Sequence, residues 1–402
     1  MRPGIEALEA KFQRMAEALV AGDAPDRARS VVLRVDAPSF GISIGAAAGE
    51  ARPDTHAPME PGTRYHLASI AKAMTAVLIL QLAEEGAFGA AGIEARLAEI
   101  DALPEGLVGR LHAFDGRSFG ERLTLRHLLT HASGMKDAMI DDGGGVAENG
   151  APRPNSIIGR MISDPASAQK HWAPFDEARP DDRLAGTINY YLNADRIAET
   201  ALFAPGEGFH YSDSAFAVLG LVAERCGGAP LDVLLSRRIF KPLGLSQSYL
   251  AYRNDPLLGP ARDPEAEIHF GASALLTNGA DLSFDWGGGG VVSTAEELNR
   301  FFIALSRGAL FKHPQTFRTM TEWRTPPGIA APRTGVGCGI FRTQSSCGEL
   351  WGHSGAWGGK SFYSPRYGVF FSGSTNQASS PKDWHEPFLA VAIEKITGGR
   401  RA

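Results

Sequence analysis

A serine and a lysine three positions apart begin a long apolar segment of the chain. In LASIAKAMTAVLILQLAEEG, Ser69 precedes Lys72, and on a helix this spacing places the ammonium group beside the hydroxyl. Free backbone N–H groups and the helix dipole favour negative charge at a helix start. We expect burial to lower the pKa of Lys72 and make its amine a usable base. This pair could perform nucleophilic catalysis.

The Ser-x-x-Lys pattern alone is weak evidence, because both residues are common. The chain contains three further matches, all in polar segments with glycine or proline: Ser133/Lys136, Ser167/Lys170 and Ser379/Lys382. For Ser69 the simpler interpretation is a helix-capping serine followed by a surface lysine. Other parts of the chain must decide.

Five segments, in order, resemble the superfamily of serine β-lactamases and penicillin-binding proteins, especially its esterases, DD-peptidases, D-aminopeptidases and amidases. They are LASIAKAMTA, TLRHLLTHASGM, PGEGFHYSDSAFAVLG, GGGGVVSTAEELNRF and WGHSGAWGG. The resemblance implies an α+β fold of the β-lactamase/transpeptidase type, with an antiparallel sheet flanked by helices and an inserted, mostly helical lobe. It also implies Ser69 as nucleophile and Lys72 as its activating partner.

Members of this superfamily carry a Tyr-x-Asn element, for which the chain offers three candidates. Tyr191 and Tyr252 match by letter, whereas Tyr211 matches by its surroundings, a Pro-Gly turn before it and an apolar helix after it. We prefer Tyr211 as the proton shuttle beside Ser69 and Lys72, with Tyr191 as the alternative. Its unperturbed pKa is about 10, so it needs a nearby cation to act as a base.

Asp213 stands where the family pattern has asparagine. An asparagine amide can donate to a substrate carbonyl, but an ionised aspartate can only accept. We expect Asp213 to hold Lys72 in its charged form and to shift the role of base toward Tyr211. This departure predicts weak recognition of peptide-like or β-lactam amides.

The third family element corresponds to His353-Ser354-Gly355; His269-Phe270-Gly271 also matches by letter, outside a strand-like context. The resemblance implies an oxyanion hole made by the backbone N–H groups of Ser69 and Ala356, with Gly355 allowing close approach of the substrate. A histidine is only partly charged at pH 7, so it would hold a substrate carboxylate less firmly than lysine. The alternative is a purely structural histidine in the sheet.

Three other patterns imitate functional sites. His127 and His131 have zinc-site spacing but lack the glutamate and a third ligand. Gly287–Gly290 lacks the lysine of a phosphate loop and predicts close backbone approach at a strand entry. GHSGA, followed by Asp383 and His385, imitates a nucleophile elbow, but too little chain follows for that fold. We expect no metal and no organic cofactor.

The elements that would position these residues are also visible. An amphipathic helix opens the chain, and Ser30–Val35 and Phe40–Ala47 predict an antiparallel hairpin. Residues 293–297 predict the cap of a helix that continues to about Ser306. Four closely spaced strands and a last helix are predicted at Gly335–Phe341, Glu349–Gly355, Lys360–Ser364, Tyr367–Ser374 and Pro387–Ile396.

We predict one α/β lobe from residues 1–95 and 280–402 and a helical lobe with long loops from residues 96–279. We interpret the Gly/Pro/Asp-rich part of residues 136–200 as a surface excursion or lid. With the loop at residues 255–285, it would determine side-chain specificity.

Composition narrows the class of protein. The 402 residues carry a net charge of −5, and no basic cluster favours a nucleic-acid or membrane partner. There is no spanning apolar run or signal peptide, and three cysteines are too few for a disulfide framework. We therefore expect a cytoplasmic protein acting on a small molecule; the oligomeric state stays open.

These observations predict a serine hydrolase that forms an acyl-enzyme on Ser69. We rank carboxylesterase first, D-amino-acid amidase or peptidase second, and weak β-lactamase third. A cytoplasmic location argues against cell-wall or antibiotic chemistry. The competing hypothesis from another class is a ligand-binding or sensor homologue that is acylated without turnover.

Overall fold

The computed structural model describes residues 3–21, 27–139, 172–182, 185–193, 200–256, 265–378 and 383–398, together with Asp141, Ile157 and Gly159. Most of the 136–200 excursion lies outside these residues. So do the pairs Ser167/Lys170 and Ser379/Lys382.

An eight-stranded antiparallel sheet is the frame of the molecule. The strands of the described chain are β1 Ser30–Ala37, β2 Ile42–Arg52, β3 Ala57–Pro58, β4 Tyr65–His66, β5 Ala113–Phe114, β6 Arg117–Ser118, β7 Tyr249–Leu250, β8 His269–Phe270, β9 Ser273–Ala274, β10 Val291–Ser293, β11 Arg333–Val336, β12 Phe341–Ser345, β13 Gly348–Ser354, β14 Lys360–Ser364 and β15 Val369–Ser374. The large sheet has the order β11-β12-β13-β14-β15-β1-β2-β3. Strands from both ends of the sequence therefore share one sheet.

Helices pack on both faces of this sheet, and further helices come from the middle of the sequence. In chain order, the helices of the described chain are α1 Pro3–Val20, α2 Lys72–Glu84, α3 Leu107–Arg110, α4 Leu125–Leu129, α5 Thr187–Leu192, α6 Asp213–Gly227, α7 Leu231–Leu235, α8 Lys241–Leu243, α9 Trp286–Gly289, α10 Ala295–Ser306, α11 Pro314–Met320 and α12 Glu386–Thr397. None of the helices in the described residues has the length and apolar character needed to cross a bilayer.

The predicted N-terminal hairpin and the predicted cap of α10 are confirmed. β1 pairs with β2 in antiparallel register, Ser30 opposite Gly49 and Ala37 opposite Ile42. At the start of α10, the Thr294 side chain accepts a hydrogen bond from the Glu297 N–H, which satisfies a free helix donor.

The predicted strand at Gly335–Phe341 is wrong, because the chain turns there. β11 ends at Val336 and β12 begins at Phe341. Between them Gly339 has φ +68°, and its N–H donates to the Leu129 carbonyl at 2.9 Å. A side chain at Gly339 would overlap the backbone of Lys72. The glycines let this turn pack against the start of α2.

Two apolar layers cover the sheet. On one face α1 and α12 pack through residues such as Phe12 and Phe388, whose rings meet edge to face at 5.5 Å. On the other face lies α10, which packs against β1, β14 and β15. Helix α2 packs against α6 and other helices, and its residues from Lys72 to Leu80 are all buried. Because α2 is apolar on every side, it must be surrounded by other elements. It is the central helix of the molecule.

The Gly287–Gly290 run makes the close backbone approach that its sequence predicts. A Cβ atom at Gly287 would lie 2.8 Å from the Phe216 carbonyl oxygen of α6. The run forms α9 and leads into β10, so α6 and the entry of β10 touch through backbone atoms. The division into lobes at residues 95 and 280 stays a prediction.

Candidate active site

Ser69 lies in the 3-10 turn Ala68–Ala71 that leads directly into α2. The residue before it, Ala68, has φ +47°, a left-handed conformation that costs a non-glycine residue about 1–2 kcal/mol. The turn carries Ser69 to a position where its side chain is only partly buried. Strain of this kind is found at functional sites when the surrounding structure enforces it.

Lys72 is fully buried, and its ammonium group has three acceptors. It donates to Ser69 Oγ at 3.2 Å, to the Gly288 carbonyl oxygen at 2.7 Å and to the Asp213 carboxylate. An ammonium group has three N–H donors, so each of them is used within the protein. The structure thus brings Ser69, Lys72 and Asp213 together.

The expectation that burial makes Lys72 a free base is wrong. Burial by itself lowers the pKa of Lys72, but the neighbouring charges, with Asp213 first among them, raise it above its ordinary value. Because these neighbouring groups together outweigh desolvation, Lys72 is a cation at neutral pH. This agrees with the role inferred for Asp213 from its replacement of asparagine.

Asp213 is the first residue of α6 and is held firmly. Its backbone N–H donates to the Asp137 carboxylate, and the Ser212 side chain caps the helix by accepting from the Ala215 N–H. The helix start favours negative charge on Asp213. Its carboxylate therefore reaches Lys72 from a fixed backbone.

Tyr211 lies beside this ion pair, whereas the other candidate tyrosines lie elsewhere. Lys72 Nζ is 5.1 Å from the centre of the Tyr211 ring. The buried Tyr211 hydroxyl lies near the polar groups of Lys72 and Ser69, and both act on its pKa, although neither contact has the geometry of a full hydrogen bond. Tyr191 instead donates to the backbone of Leu111 and Thr200, and Tyr252 Oη donates to the Ala280 carbonyl at 3.0 Å. Of the three candidates, Tyr211 is the one that the structure places beside Lys72.

Tyr211 is protonated at neutral pH. Burial raises its pKa, as does the charge of Asp213, and the attraction of Lys72 offsets only part of this. The ring stacks on His131 with the centroids 4.4 Å apart. A buried, protonated phenol is suited to passing protons between neighbours and not to acting as a permanent base.

His353 lies near the end of β13 and faces the same space, with its ring centroid 6.0 Å from that of Tyr211. Its Nδ1 is 2.7 Å from the Ser354 carbonyl oxygen, so Nδ1 carries the proton and Nε2 is an acceptor. Nε2 is buried and unpartnered. Burial, then the charges of Lys72 and Arg333, lower the pKa of His353 well below its ordinary value. The expectation of partial charge at pH 7 is therefore corrected: His353 is neutral.

The backbone after His353 closes against the turn that carries Ser69. A side chain at Gly355 would overlap the Leu67 carbonyl oxygen, and the Gly355 N–H is used by the Gly359 carbonyl at 2.8 Å. The next residue, Ala356, is exposed. Ser354, which is half-buried, comes just before this contact between Gly355 and the turn that carries Ser69. Ala356 therefore follows directly on the contact with the turn that carries Ser69, and its role in an oxyanion hole stays a prediction.

Three site residues were missed by sequence reasoning: Asp285, His131 and Arg333. The carboxyl of Asp285 faces Lys72 and Asp213 across Gly288. A Cβ at Gly288 would lie 3.2 Å from an oxygen of each carboxylate and 3.5 Å from Lys72 Nζ. Burial, then the charge of Asp213, raise the pKa of Asp285 to about 7. The glycine run beside Asp285 was the one available signal, because larger residues would push these groups apart.

The histidines of the imitative patterns have other neighbours in the structure. Helix α4 ends at Leu129, and His131 follows with φ +54°; its Nδ1 accepts from the Ser212 N–H. No group of potential metal ligands occurs among the residues that the structure describes. His269 lies against Arg29, and His385 stacks on Phe362 in the outer layer.

Comparison with known proteins agrees with this architecture. The Beta-lactamase family model matches residues 39–394. Esterase EstB of Burkholderia gladioli is 27% identical over 316 residues, which are 73% of this chain and 69% of that protein. PbpX of Bacillus subtilis (strain 168), named for penicillin binding, is 26% identical over 253 residues, 62% of this chain but only 48% of that protein.

A solved structure shows the same fold over nearly the whole length. The D-stereospecific amidohydrolase from Streptomyces sp. superposes with a TM-score of 0.70 at 23% identity, covering 98% of this chain and 99% of that one. The family match extends over most of the sequence and includes every residue of the site described above. The chain therefore belongs to the β-lactamase family of serine hydrolases.

Proposed function

We propose that the protein is a carboxylesterase that forms an acyl-enzyme on Ser69. The observation behind this proposal is that the Lys72 ammonium group donates all three of its hydrogen bonds within the protein, to Ser69, Gly288 and Asp213. Lys72 then orients the serine oxygen and stabilises negative charge on it, while the proton transfers fall to Tyr211.

Acylation follows from this arrangement without a separate strong base. Ser69 Oγ attacks the ester carbonyl carbon, and its proton passes to the oxygen of Tyr211. At the same time the proton of Tyr211 passes to the leaving oxygen, which departs as an alcohol. The backbone N–H groups of Ser69 and Ala356 are the proposed donors to the carbonyl oxygen, and such donors typically contribute about 3–4 kcal/mol.

Deacylation reverses the relay. A water molecule attacks the acyl carbon, gives a proton to Tyr211, and the proton of Tyr211 returns to Ser69 Oγ, so the carboxylic acid is released. The buried, unpartnered Nε2 of His353 offers an acceptor beside the phenol for a substrate hydroxyl or for this water. General acid–base groups of this kind usually contribute about 10²–10⁴-fold in rate.

Esters are preferred to amides in this proposal because of Asp213. A carboxylate paired with Lys72 cannot donate a hydrogen bond to the carbonyl of an amide side chain. The 27% identity to an esterase supports the same choice. The fold shared with a D-stereospecific amidohydrolase keeps D-amino-acid amides as the second candidate substrate class.

We propose that the reaction takes place in the cytoplasm and that the substrate is a small molecule. The net charge of −5 and the three cysteines, all of them free, support this. Metals and organic cofactors have no role in the proposed steps.

The test compares purified protein on p-nitrophenyl esters, D-alanyl amides and nitrocefin, with the Ser69→Ala variant as background. We expect kcat/KM for esters to exceed that for amides by at least about 100-fold, or roughly 3 kcal/mol in transition-state free energy. Equal or faster amide hydrolysis would favour the amidase. Stable acylation of Ser69 without product release would favour the sensor.

A further inference from the structure

Arg333, the first residue of β11, brings a guanidinium group to the site from an edge strand. Its Cζ lies 4.1 Å from the centre of the Phe341 ring and 5.7 Å from that of Tyr211. The side chain is half-buried. Both distances are within the range of cation–π contacts, which favour this place for the charge. The position of this cation is therefore defined by packing.

The cation has no anionic partner among the described residues. Within the described part of the chain, its pKa is influenced by burial, which lowers it, and by Tyr211, which raises it, and not by any carboxylate. A partly desolvated arginine without a counter-ion is costly, since charges removed from water are normally paired. Arginine keeps its charge in proteins. A bound anion would remove this cost.

The other cationic candidates of the site cannot serve a substrate anion. Lys72 is committed to Asp213, and His353 is neutral because of its burial. Arg333 acts on both His353 and His131 electrostatically, so its charge reaches the space in front of Tyr211. A negatively charged part of a substrate would find its attraction there.

We propose that Arg333 binds a carboxylate of the substrate, so that the preferred substrates are esters that carry a free carboxylate group. This inference rests on the proposed esterase function and deepens it. The planar guanidinium fork matches a carboxylate through two parallel hydrogen bonds. Arg333 is a specificity-determining residue in this view, remote from the bond that breaks.

Matched ester pairs test the inference. On the leaving-group side, 3-acetoxybenzoate is compared with its methyl ester; on the acyl side, mono-(4-nitrophenyl) adipate is compared with 4-nitrophenyl hexanoate. The measured quantity is the ratio of kcat/KM for the anionic ester to that for the neutral one. We expect Arg333→Gln to lower this ratio by at least about tenfold in one pair, mainly through KM, because a charge-assisted contact contributes about 1.5–3 kcal/mol.

Two variants complete the design. Arg333→Lys keeps the charge but loses the bidentate geometry, so an intermediate ratio is expected. Arg342→Gln is the control, since Arg342 follows Phe341 on β12 and points to the opposite face of the sheet. An unchanged ratio in Arg333→Gln for both pairs, with a normal thermal melt, overturns the inference. Failure of the unmodified protein to hydrolyse any of the four esters overturns the esterase function instead.

Discussion

Lys72 and Asp213 form a buried ion pair in which the lysine side chain is fully inaccessible and the aspartate 9% exposed. The same ammonium group contacts the hydroxyl of Ser69 at 3.2 Å. Because the pair keeps Lys72 charged, its contribution to the reaction is to orient Ser69 and to stabilise its developing negative charge. Proton transfer then depends on Tyr211.

Substitution of Tyr211 by phenylalanine should remove the relay. We expect kcat on an ester to fall by about 10²–10⁴-fold, the usual contribution of a positioned acid–base group. The melting temperature should change little, because the contacts of the hydroxyl with Lys72 and Ser69 do not have the geometry of full hydrogen bonds. Steady-state kinetics and a thermal melt measure both effects.

Tyr191→Phe is the matched control. Its hydroxyl is hydrogen-bonded to two buried backbone carbonyls, so its loss should lower the free energy of unfolding by about 1–3 kcal/mol and leave kcat close to normal. If Tyr191→Phe lost activity while Tyr211→Phe kept it, the assignment of the shuttle would be reversed.

Asp213→Asn tests the preference for esters. The variant restores the amide of the family pattern, which can donate to a substrate carbonyl, and it removes the counter-charge of Lys72. We expect the ratio of amide to ester kcat/KM to rise by about tenfold, with a fall in ester turnover as the pKa of Lys72 decreases. An unchanged ratio in a folded variant would show that Asp213 does not determine the preference.

Asp213→Ala should destabilise the fold by about 3–5 kcal/mol, since it leaves a buried charge unpaired.

Asp285 should make stability depend on pH. Its pKa is about 7 in the folded protein and about 4 when unfolded, so between these values only the folded state keeps the proton. The contribution of this group to the free energy of unfolding is therefore fully present below about pH 4. It decreases as the pH rises from about 4 to 7 and is not regained above pH 7.

Asp285→Asn removes this loss. We expect the free energy of unfolding of the variant to equal that of the unmodified protein at pH 4 and to exceed it by roughly 2 kcal/mol at pH 8. This is less than the full pKa shift would give, because Asp285 is partly accessible to solvent. Urea unfolding at a series of pH values measures the difference. A stability difference of the same size at pH 4 and pH 8 would contradict the raised pKa.

Ser69, Lys72, Tyr211 and His353, which the structure brings together, were selected by the five ordered segments that resemble the superfamily, since each local pattern alone has other matches in the chain. The hairpin of β1 and β2 and the cap at Thr294 were predictable from local pattern. The turn at Gly339 was not, since a run of alternating small and apolar residues is compatible with a strand until its packing against α2 is known.

Charge states were the other property that the sequence could not supply. Whether Lys72 is charged depends on a carboxylate 141 residues away in the chain. His353 is neutral first because it is buried, and then because of the cations Lys72 and Arg333 from two other elements. Asp285 and Arg333 reach the site from segments without a motif of their own. Such contacts are set by tertiary packing, which single-sequence patterns do not encode.

The most direct test of the central claim is intact-protein mass spectrometry after reaction with a fluorophosphonate, followed by peptide mapping. We expect a single adduct on Ser69, lost in Ser69→Ala together with all esterase activity and retained in Ser133→Ala. An adduct on a different serine, or a Ser69→Ala protein that still turns over esters, would contradict the account.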